Sequence, residues 1–507
     1  MVTLEIREIG KVKKVKKSIA KIIGLTQCMI GQLLEITPSV KGLVMGFNEG
    51  EIIVFLLGRI EEVKVGLPVQ SNMQPFTIPV GEDFLGRIVN ALAEPLDGKG
   101  AVTTGPKRVA KYLDRSKFAG DTVERSPIFR SAPGVMERVP IDEALETGNL
   151  LIDAMIPIGK GQRELIVGDR MTGKTTIAID TILNQNGKNV ICIYCCIGKS
   201  YASIQKVVEA LKSNGALEYT IIVAAHAASS SGEQYLSPYT ACTLGEYFMD
   251  RGMDVFVVFD DMTKHAWAYR QLSLLLERPP GRSAYPGDIF YVHSQLMERA
   301  ARYSPEFHSG SMTFFPIVDT IQGDVTGFIP SNLISMTDGQ IYLNTSLFNS
   351  GIRPAIDIGL SVSRIGNKVQ CPAMKDLSSS LRLEYLRFSE LQKVTRFKAN
   401  VSSDISKQLR HGEVLTQLFS QENNHPYTLA QEAILLYALS RQVLNDLGND
   451  ELDYLKKNIY DFVGTEVPGL IEDLTAKKDM TMDIKKKLDD CFVSFFKYRD
   501  TQGTKEQ

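Results

Sequence analysis

The sequence has little of several features that mark specialised classes of protein. Its 507 residues carry a formal net charge of −2, which gives no electrostatic reason to expect nucleic acid or an anionic membrane as a partner. No apolar run reaches the length of a membrane span, and no secretory signal is recognisable. The composition is that of an ordinary soluble protein, and its length predicts two to four domains.

The seven cysteines lack the spacing of a disulfide framework or of paired metal-binding units. Their one cluster, Cys192, Cys195 and Cys196, lies in the apolar run VICIYCCIG. Free cysteine is common in protein cores and suits a reducing compartment. This pattern therefore predicts a buried strand rather than a metal site.

Three regions follow one another along the chain. Residues 1–70 consist of short runs of alternating apolar and polar residues, which predicts a small antiparallel β-barrel. Residues 71–367 alternate apolar strands such as DVFVVFDD with helical stretches such as SIQKVVEALKS, as βαβ units do. Residues 368–507 contain amphipathic helices without strands, from LRLEYLRFSELQKVTRF onward, and predict a helical bundle.

The lysine-rich run KVKKVKK, at residues 11–17, has two interpretations. It could be the solvated face of a strand or a patch that binds nucleic acid, and the valines that interrupt it favour the strand. A nucleic-acid-binding barrel, as in a transcription-terminating helicase similar to Rho, would also need aromatic side chains for base stacking. Residues 1–70 contain only Phe47 and Phe55 as aromatics, which argues against that function.

A phosphate-binding loop lies at residues 163–180, RELIVGDRMTGKTTIAID, where an apolar strand runs into a glycine-framed turn and then an apolar-periodic helix. The glycines let backbone N–H groups converge on phosphates at a helix N-terminus, the lysine adds a positive charge, and the Thr175 hydroxyl is a suitable magnesium ligand. The loop residues predicted to bind nucleotide are Gly168, Arg170, Met171, Thr172, Gly173, Lys174, Thr175 and Thr176.

A phosphate loop also needs an acidic residue at the end of a neighbouring strand, which holds magnesium through water. The run DVFVVFDD places Asp260 and Asp261 directly after five apolar residues. We predict that Asp260 and Thr175 hold Mg²⁺. An ordinary acidic turn at a strand end is the alternative.

Several long stretches resemble the alpha subunits of F-type ATP synthases and occur in the same order. They include DAMIPIGKGQRELIVGDRMTGKTTIAIDTILNQ, FDDMTKHAWAYRQLSLLLERPPGRSAYPGDIFYVHSQLMERAA, GDVTGFIPSNLISMTDGQIYL and GIRPAIDIGLSVSRIG. The resemblance implies an N-terminal antiparallel β-barrel, a central RecA-like α/β nucleotide-binding domain and a C-terminal helical bundle. It agrees with the three regions predicted above.

The resemblance also implies a function and a set of partners. Such a subunit binds Mg-ATP or ADP without turning it over and alternates with beta subunits in a ring around a gamma-like shaft. It lends an arginine finger, here Arg364, to the beta site. An adenine pocket is implied at Arg353, Pro354, Gln421 and Asn423. The chain would meet a membrane only through the assembled complex, peripherally on the cytoplasmic face or its organelle equivalent, and bind no nucleic acid.

The sequence departs from this family pattern at several positions. Lys199 stands where beta subunits place a water-orienting glutamate and alpha subunits a glutamine, and Met171 replaces a glutamine of the loop. A lysine ammonium has no acceptor for a water proton, so hydrolysis at this chain's own site is expected to be slow or absent. The usual N-terminal helical segment that binds a stator subunit is not recognisable, which leaves a stator partner open. Two further functions stay open: a self-sufficient hexameric ATPase motor of the secretion type, and an alpha-like subunit of a specialised F-type-like ATPase.

Overall fold

The computed structural model describes residues 7–102, 124–395, 403–445 and 447–503. Residues 1–6 of the predicted barrel region and residues 396–397 of the first predicted C-terminal helix lie outside these ranges. Within them the chain forms two compact units, each discontinuous in sequence. The first contains the described residues within 1–140, 161–167 and 185–337, and the second contains the described residues within 141–160, 168–184 and 338–507.

The bounds of the strands and helices are as follows. The strands are β1 (Glu8–Lys16), β2 (Ile19–Ile23), β3 (Gln32–Thr37), β4 (Val40–Asn48), β5 (Glu51–Gly58), β6 (Pro68–Pro75), β7 (Thr77–Val80), β8 (Ile88–Val89), β9 (Glu124–Pro127), β10 (Leu165–Gly168), β11 (Val190–Lys199), β12 (Thr220–His226), β13 (Asp254–Asp260), β14 (Ala301–Arg302), β15 (Ser311–Asp319), β16 (Gly339–Leu343) and β17 (Val362–Ser363). The helices are α1 (Leu150–Met155), α2 (Lys174–Leu183), α3 (Tyr201–Ser213), α4 (Ser231–Met249), α5 (Met262–Leu275), α6 (Ile289–Met297), α7 (Phe328–Met336), α8 (Thr345–Asn349), α9 (Pro372–Ser378), α10 (Leu381–Thr395), α11 (Ser403–Phe419), α12 (Leu429–Ser440), α13 (Asn449–Glu466), α14 (Leu470–Lys477) and α15 (Met482–Gly503).

The N-terminal strands close into an antiparallel barrel in the order β1-β2-β5-β4-β3-β6, with β1 paired to β6. Because side chains alternate across a strand, every second residue points inward. Val12, Ile22 and Val54 are among the buried residues of the barrel core. The predicted barrel is therefore confirmed.

The lysine-rich run lies on β1 up to Lys16, as the solvated-strand interpretation predicts, and Lys17 follows the strand. Val12 is buried, whereas the lysines are exposed. Lys13 and Lys21 both pair with Glu51, at 2.5 Å and 3.0 Å. Of the two barrel aromatics, Phe55 is fully buried and only Phe47 is exposed, so the barrel offers no pair of aromatic platforms for base stacking.

The first unit also contains a parallel sheet with strand order β10-β15-β13-β11-β12-β8. Its central strands are apolar over nearly their whole length, as strands covered on both faces must be. The strand β11 pairs in parallel with both β12 and β13, with Cys196 opposite Asp260. The clustered cysteines are buried free thiols in β11.

The second unit contains α1, α2, the antiparallel pair β16–β17, and the helices from α8 onward. The helix α12 is buried around most of its circumference, since residues 429–439 are almost all inaccessible to solvent. The other C-terminal helices are amphipathic and pack against one another, as the sequence predicts. No helix in the described residues is both long enough and apolar enough to span a bilayer.

Candidate nucleotide-binding site

The phosphate loop leads from the end of β10 to the start of α2. Gly173, directly before α2, has a φ of 102°, in the left-handed region where a side chain would be strained. A Cβ atom on Gly168 would lie 2.6 Å from the carbonyl oxygen of Leu343 in β16, so the close approach of these backbones requires glycine. The structure of the loop therefore explains why both positions of the motif are occupied by glycine.

Lys174 is the first residue of α2 and only 6% exposed. Its ammonium donates hydrogen bonds to the carbonyl oxygens of Gly168, at 2.8 Å, and of Asp169. The Thr172 hydroxyl also donates to the Asp169 carbonyl, and the Asp169 carboxylate accepts from the Thr345 hydroxyl at 2.9 Å. These bonds fix the loop around a buried positive charge at a helix N-terminus, an arrangement suited to an anion such as a phosphate.

The remaining predicted loop residues differ in exposure. Arg170 is exposed, and Met171 is 90% exposed with a φ of 64°. Thr175 and Thr176 are half-buried in the first turn of α2. The Thr175 hydroxyl offers the hard oxygen that magnesium prefers, so this residue fits the predicted metal role.

A cavity of about 660 Å³ lies in the second unit and contains three of the four residues predicted for an adenine pocket. Arg353, Gln421 and Asn423 line it, whereas Pro354 is not among the lining residues. The other lining residues are Gly351, Ser420, Glu422, His425, Tyr427, Gln431, Asp453, Lys456 and Lys457. The volume is within the range of small-molecule sites.

Gln421 connects several segments of the cavity wall through hydrogen bonds. Its side-chain amide donates to the carbonyl oxygens of Gly148 and His425, at 2.8 Å and 2.7 Å, and accepts from the Leu150 N–H at 3.3 Å. Its backbone N–H donates to the carbonyl oxygen of Arg353 at 2.8 Å. The contact of Gln421 with a base stays a prediction, while its contacts with the protein position the wall.

A carboxylate of α2 connects the phosphate-loop helix to the cavity. The backbone N–H of Asn424, which follows the lining residue Asn423, donates to Asp180 at 2.8 Å. Burial raises the pKa of Asp180 to about 7, although this hydrogen bond favours the charged form. Within the second unit, α2 therefore begins at the predicted phosphate loop and is hydrogen-bonded to the residue that follows Asn423 of the predicted base pocket.

A cluster of charged side chains lies in the first unit at the ends of β11 and β13. The Lys199 ammonium is 2.6 Å from Asp260 Oδ1 and 3.7 Å from Asp261 Oδ2. The Tyr194 hydroxyl donates to Asp260 Oδ2 at 2.6 Å. Both oxygens of the carboxylate predicted for magnesium are thus engaged by groups of β11.

The cluster is almost fully buried, which makes its charges interdependent. The side chains of Asp260 and Asp261 are each 1% exposed, and that of Lys199 is 26% exposed. Burial raises the pKa of Asp261 to about 6, against the opposing effect of Lys199. Burial would lower the pKa of Lys199, but Asp260 and Asp261 together raise it above its usual value, so the ammonium stays charged at neutral pH.

Arg364 directly follows β17 and is exposed. Its backbone N–H donates to the Asp338 carbonyl oxygen at 2.8 Å. Among the described residues its guanidinium forms neither an ion pair nor a hydrogen bond, in contrast to Arg299, which is buried and pairs with Glu246 at 2.7 Å. A surface ion pair, the default expectation for an arginine, is therefore not observed for Arg364 in the part of the chain that the structure describes.

The sequence predictions omit Tyr194, Asp180 and Asn424. A signal for Tyr194 exists, because its hydroxyl is a polar atom inside an otherwise apolar strand and must find a partner when buried. Asp180 gives a weaker signal as a carboxylate among the buried residues of α2. Asn424 contributes its backbone, which no side-chain pattern could reveal.

Comparisons with known proteins assign this arrangement to a family. The ATP synthase alpha/beta family matches through its beta-barrel domain at residues 5–72, its nucleotide-binding domain at residues 148–363 and its C-terminal domain at residues 370–495. The chain is 43% identical to "ATP synthase subunit alpha" of Clostridium botulinum (strain Eklund 17B / Type B), over 96% of this chain and 93% of that one. The chain belongs to the ATP synthase alpha/beta family.

A second relative in this family supports the same conclusion. The protein of the same name from Clostridium botulinum (strain Langeland / NCTC 10281 / Type F) is 43% identical over 97% of this chain and 94% of its own length. The predicted family and the three-part fold class are confirmed. The phosphate loop lies within the region matched by the family's nucleotide-binding domain.

Proposed function

We propose that this member of the ATP synthase alpha/beta family is the nucleotide-binding, non-catalytic alpha subunit of an F-type rotary ATPase. It binds ATP or ADP at the phosphate loop and alternates with catalytic beta subunits in a hexamer around a gamma-like shaft. The similarity to proteins named ATP synthase subunit alpha supports this assignment. Mg²⁺ accompanies the nucleotide and is held at the loop by Thr175, with Asp260 as the second residue predicted from the sequence.

The observation that carries the proposal is the exposed guanidinium of Arg364, without an ion pair among the described residues. An arginine that acts in trans must be available to a neighbouring subunit, and a planar guanidinium can neutralise charge that develops on a transferred phosphoryl group. A surface ion pair within the chain would compete with that role. We therefore assign Arg364 as the arginine finger directed at the beta site.

The chain's own site is proposed to hold nucleotide without hydrolysing it. Hydrolysis needs a group that orients the attacking water or accepts its proton. The Lys199 ammonium can only donate hydrogen bonds. Its position at 2.6 Å from Asp260 supports a structural role. This argues against a self-sufficient hexameric motor, for which the purified chain alone would form rings and hydrolyse ATP.

A specialised F-type-like ATPase is the second candidate, and the two departures from the family pattern favour it. Lys199 brings a positive charge to the strand end, and Met171 places an apolar, 90% exposed side chain in the phosphate loop. In either case the chain is peripheral, at the cytoplasmic face of a membrane or its organelle equivalent. A stator subunit remains an open partner, and mass spectrometry of the copurifying complex would identify the partners.

Steady-state ATP hydrolysis by the reconstituted hexamer with beta subunits tests the assignment of Arg364. Replacing Arg364 by Ala is expected to lower turnover by about a thousandfold, the usual effect of removing an arginine finger. Arg364→Lys should recover only a small part of it, since an ammonium lacks the planar fork.

Arg59→Ala is the matched control, because Arg59 is an arginine of the barrel whose side chain is 80% exposed. Size-exclusion chromatography would show that every variant still assembles. Unchanged multisite turnover in an assembled Arg364→Ala hexamer would contradict the arginine-finger assignment.

A further inference from the structure

A second cavity of the second unit has no part in the proposed function. Its volume of about 310 Å³ is within the range of small-molecule sites. Its walls come from α1 and the segments on either side of it, from the start of α9, from α12 and from the residue after α14. Among the described residues, it shares no lining residue with the cavity predicted to hold the adenine base. It is therefore a separate place where a ligand could bind.

The wall of this cavity is largely apolar, and backbone hydrogen bonds connect its segments. Leu145, Ile158 and Met374 line it and are buried. The Leu145 N–H donates to the Ile158 carbonyl oxygen at 2.8 Å, and the Ala373 N–H donates to the Lys478 carbonyl oxygen at 3.1 Å. A preformed apolar space of this kind favours a ligand with an apolar body, because the ligand leaves water on binding.

The charged side chains of the wall are mostly acidic. The described residues that line the cavity include five acidic residues and one basic residue, namely Asp142, Glu143, Glu146, Asp153, Glu432 and Lys478. Lys478 pairs with Glu146 at 3.3 Å, and Glu143 pairs with Lys160. The excess of negative charge opposes an anionic ligand and attracts a cationic one.

Two of the carboxyl groups are buried beside each other. Asp153 is 9% exposed and Glu432 is 1% exposed. Asp153 accepts hydrogen bonds from the Thr147 hydroxyl at 2.8 Å and from the Gly148 N–H at 2.9 Å, and its carboxyl group is also hydrogen-bonded to Glu432. Two carboxyl groups share a hydrogen bond only while one of them carries a proton.

This pair is suited to a cation. Burial raises the pKa of Asp153 to about 6, although the hydrogen bonds from Thr147, Gly148 and Glu432 lower it. A positive charge beside the two carboxyl groups would favour the form in which both are ionised. An ammonium group supplies that charge together with three hydrogen-bond donors.

We propose that this cavity binds a small organic amine, with the apolar body of the ligand against Leu145, Ile158 and Met374 and its ammonium group at Asp153 and Glu432. The apolar wall contributes affinity for the body of the ligand. The carboxyl pair selects an amine over a neutral or anionic molecule of the same shape. The proposal does not depend on nucleotide binding, because the two cavities have different lining residues.

Isothermal titration calorimetry on the purified full chain at pH 7 tests the proposal with three probes of similar size and different charge. The probes are 2-phenylethylamine, 2-phenylethanol and phenylacetate. We expect a Kd on the order of 0.1 mM for the amine. The alcohol and the carboxylate should each bind at least about tenfold more weakly, since neither brings a positive charge to the carboxyl pair.

Two variants and a control assign the binding to this cavity. Glu432→Gln keeps the size of the side chain and removes its charge, so the Kd of the amine should rise by about tenfold while that of the alcohol stays unchanged. Ala144→Phe, at a half-buried position of the wall, fills part of the cavity and should weaken the amine and the alcohol alike. Glu466→Gln, at the exposed end of α13, is the matched control and should bind the amine as the wild type does.

Three outcomes would overturn the proposal. Equal affinity of the folded wild-type chain for the amine and the alcohol would contradict a site for cations, and absence of amine binding would contradict the site itself. Amine binding that stays unchanged in Ala144→Phe would place the probe outside this cavity. Thermal unfolding of each variant would show that it is folded, and the half-buried Ala144 provides a second variant if the buried Glu432→Gln change prevents folding.

Discussion

The phosphate loop and the strand-end cluster differ in how much of the family pattern they keep. The loop retains each residue whose role depends on backbone geometry or charge, including Gly168, Gly173 and Lys174. The cluster retains its aspartates but has Lys199 beside them. The difference supports the proposal that this chain's site holds nucleotide without hydrolysing it.

Among the changes that test this difference between the loop and the cluster, removing the loop lysine should give the largest effect. Lys174→Ala is expected to weaken ATP binding by about a hundredfold, since a hydrogen bond to a charged group contributes up to about 3 kcal/mol. Isothermal titration calorimetry on the purified chain would measure the change. Lys206→Ala, on the exposed face of α3, is the control. An unchanged affinity would exclude the loop as the phosphate site.

Removing the charge of Asp260 tests how much the ion pair between Lys199 and Asp260 stabilises the fold. Asp260→Asn leaves the Lys199 ammonium with Asp261 as its carboxylate, at the longer distance of 3.7 Å, and weakening this mostly buried ion pair is expected to lower the free energy of unfolding by about 2 kcal/mol. The expected loss of stability is smaller than for a fully buried ion pair, because the side chain of Lys199 is 26% exposed. Thermal unfolding at neutral pH would measure it.

The matched control for this variant is the same substitution in a solvent-exposed ion pair. Lys487 and Asp483 pair at 2.7 Å on α15, and both side chains are exposed. Asp483→Asn should leave the melting temperature unchanged, because exposed ion pairs contribute little. An equally small change for Asp260→Asn would mean that the contact with Lys199 does not stabilise the fold.

Local sequence patterns predicted the loop and most of the regular elements. The phosphate loop is a run of consecutive residues, so its requirements can be seen without knowing which strands are neighbours. The apolar strands β11 and β13 were also predicted, because each is a long apolar run between polar turns. Short helices such as α9 and α14 lie in the region predicted as a helical bundle but were not singled out, since seven or eight residues give too few turns for a clear period.

The contact between Lys199 and Asp260 could not be predicted from local patterns. It depends on β11 lying beside β13 in one register, with Cys196 opposite Asp260. The sequence indicated that Lys199 could not activate water, but not which group it would contact. The bond between Asp180 and Asn424 was also hidden, because residues 244 positions apart contribute one carboxylate and one backbone N–H.

The pH dependence of stability gives the smallest of these expected effects and tests a buried carboxyl group of α2. On the loop side, Asp180 is buried with the Asn424 N–H as a hydrogen-bond donor, and its pKa is raised from 3.8 to about 7. Between these two values the folded carboxyl keeps a proton that the unfolded chain releases. The stability linked to this proton is therefore fully present below about pH 4 and is lost as the pH rises towards 7.

Asp180→Asn removes the titrating proton and should flatten this slope. The expected difference in stability change between pH 5 and pH 8 is about 1 kcal/mol, well below the full linkage value because Asp180 is not completely buried. Melting temperatures at the two pH values would measure it, with Asp461→Asn, at an exposed position of α13, as the control. If both variants kept the wild-type slope, the pH dependence would arise elsewhere, and Asp261 of the strand-end cluster, with its pKa of about 6, would be the next residue to test.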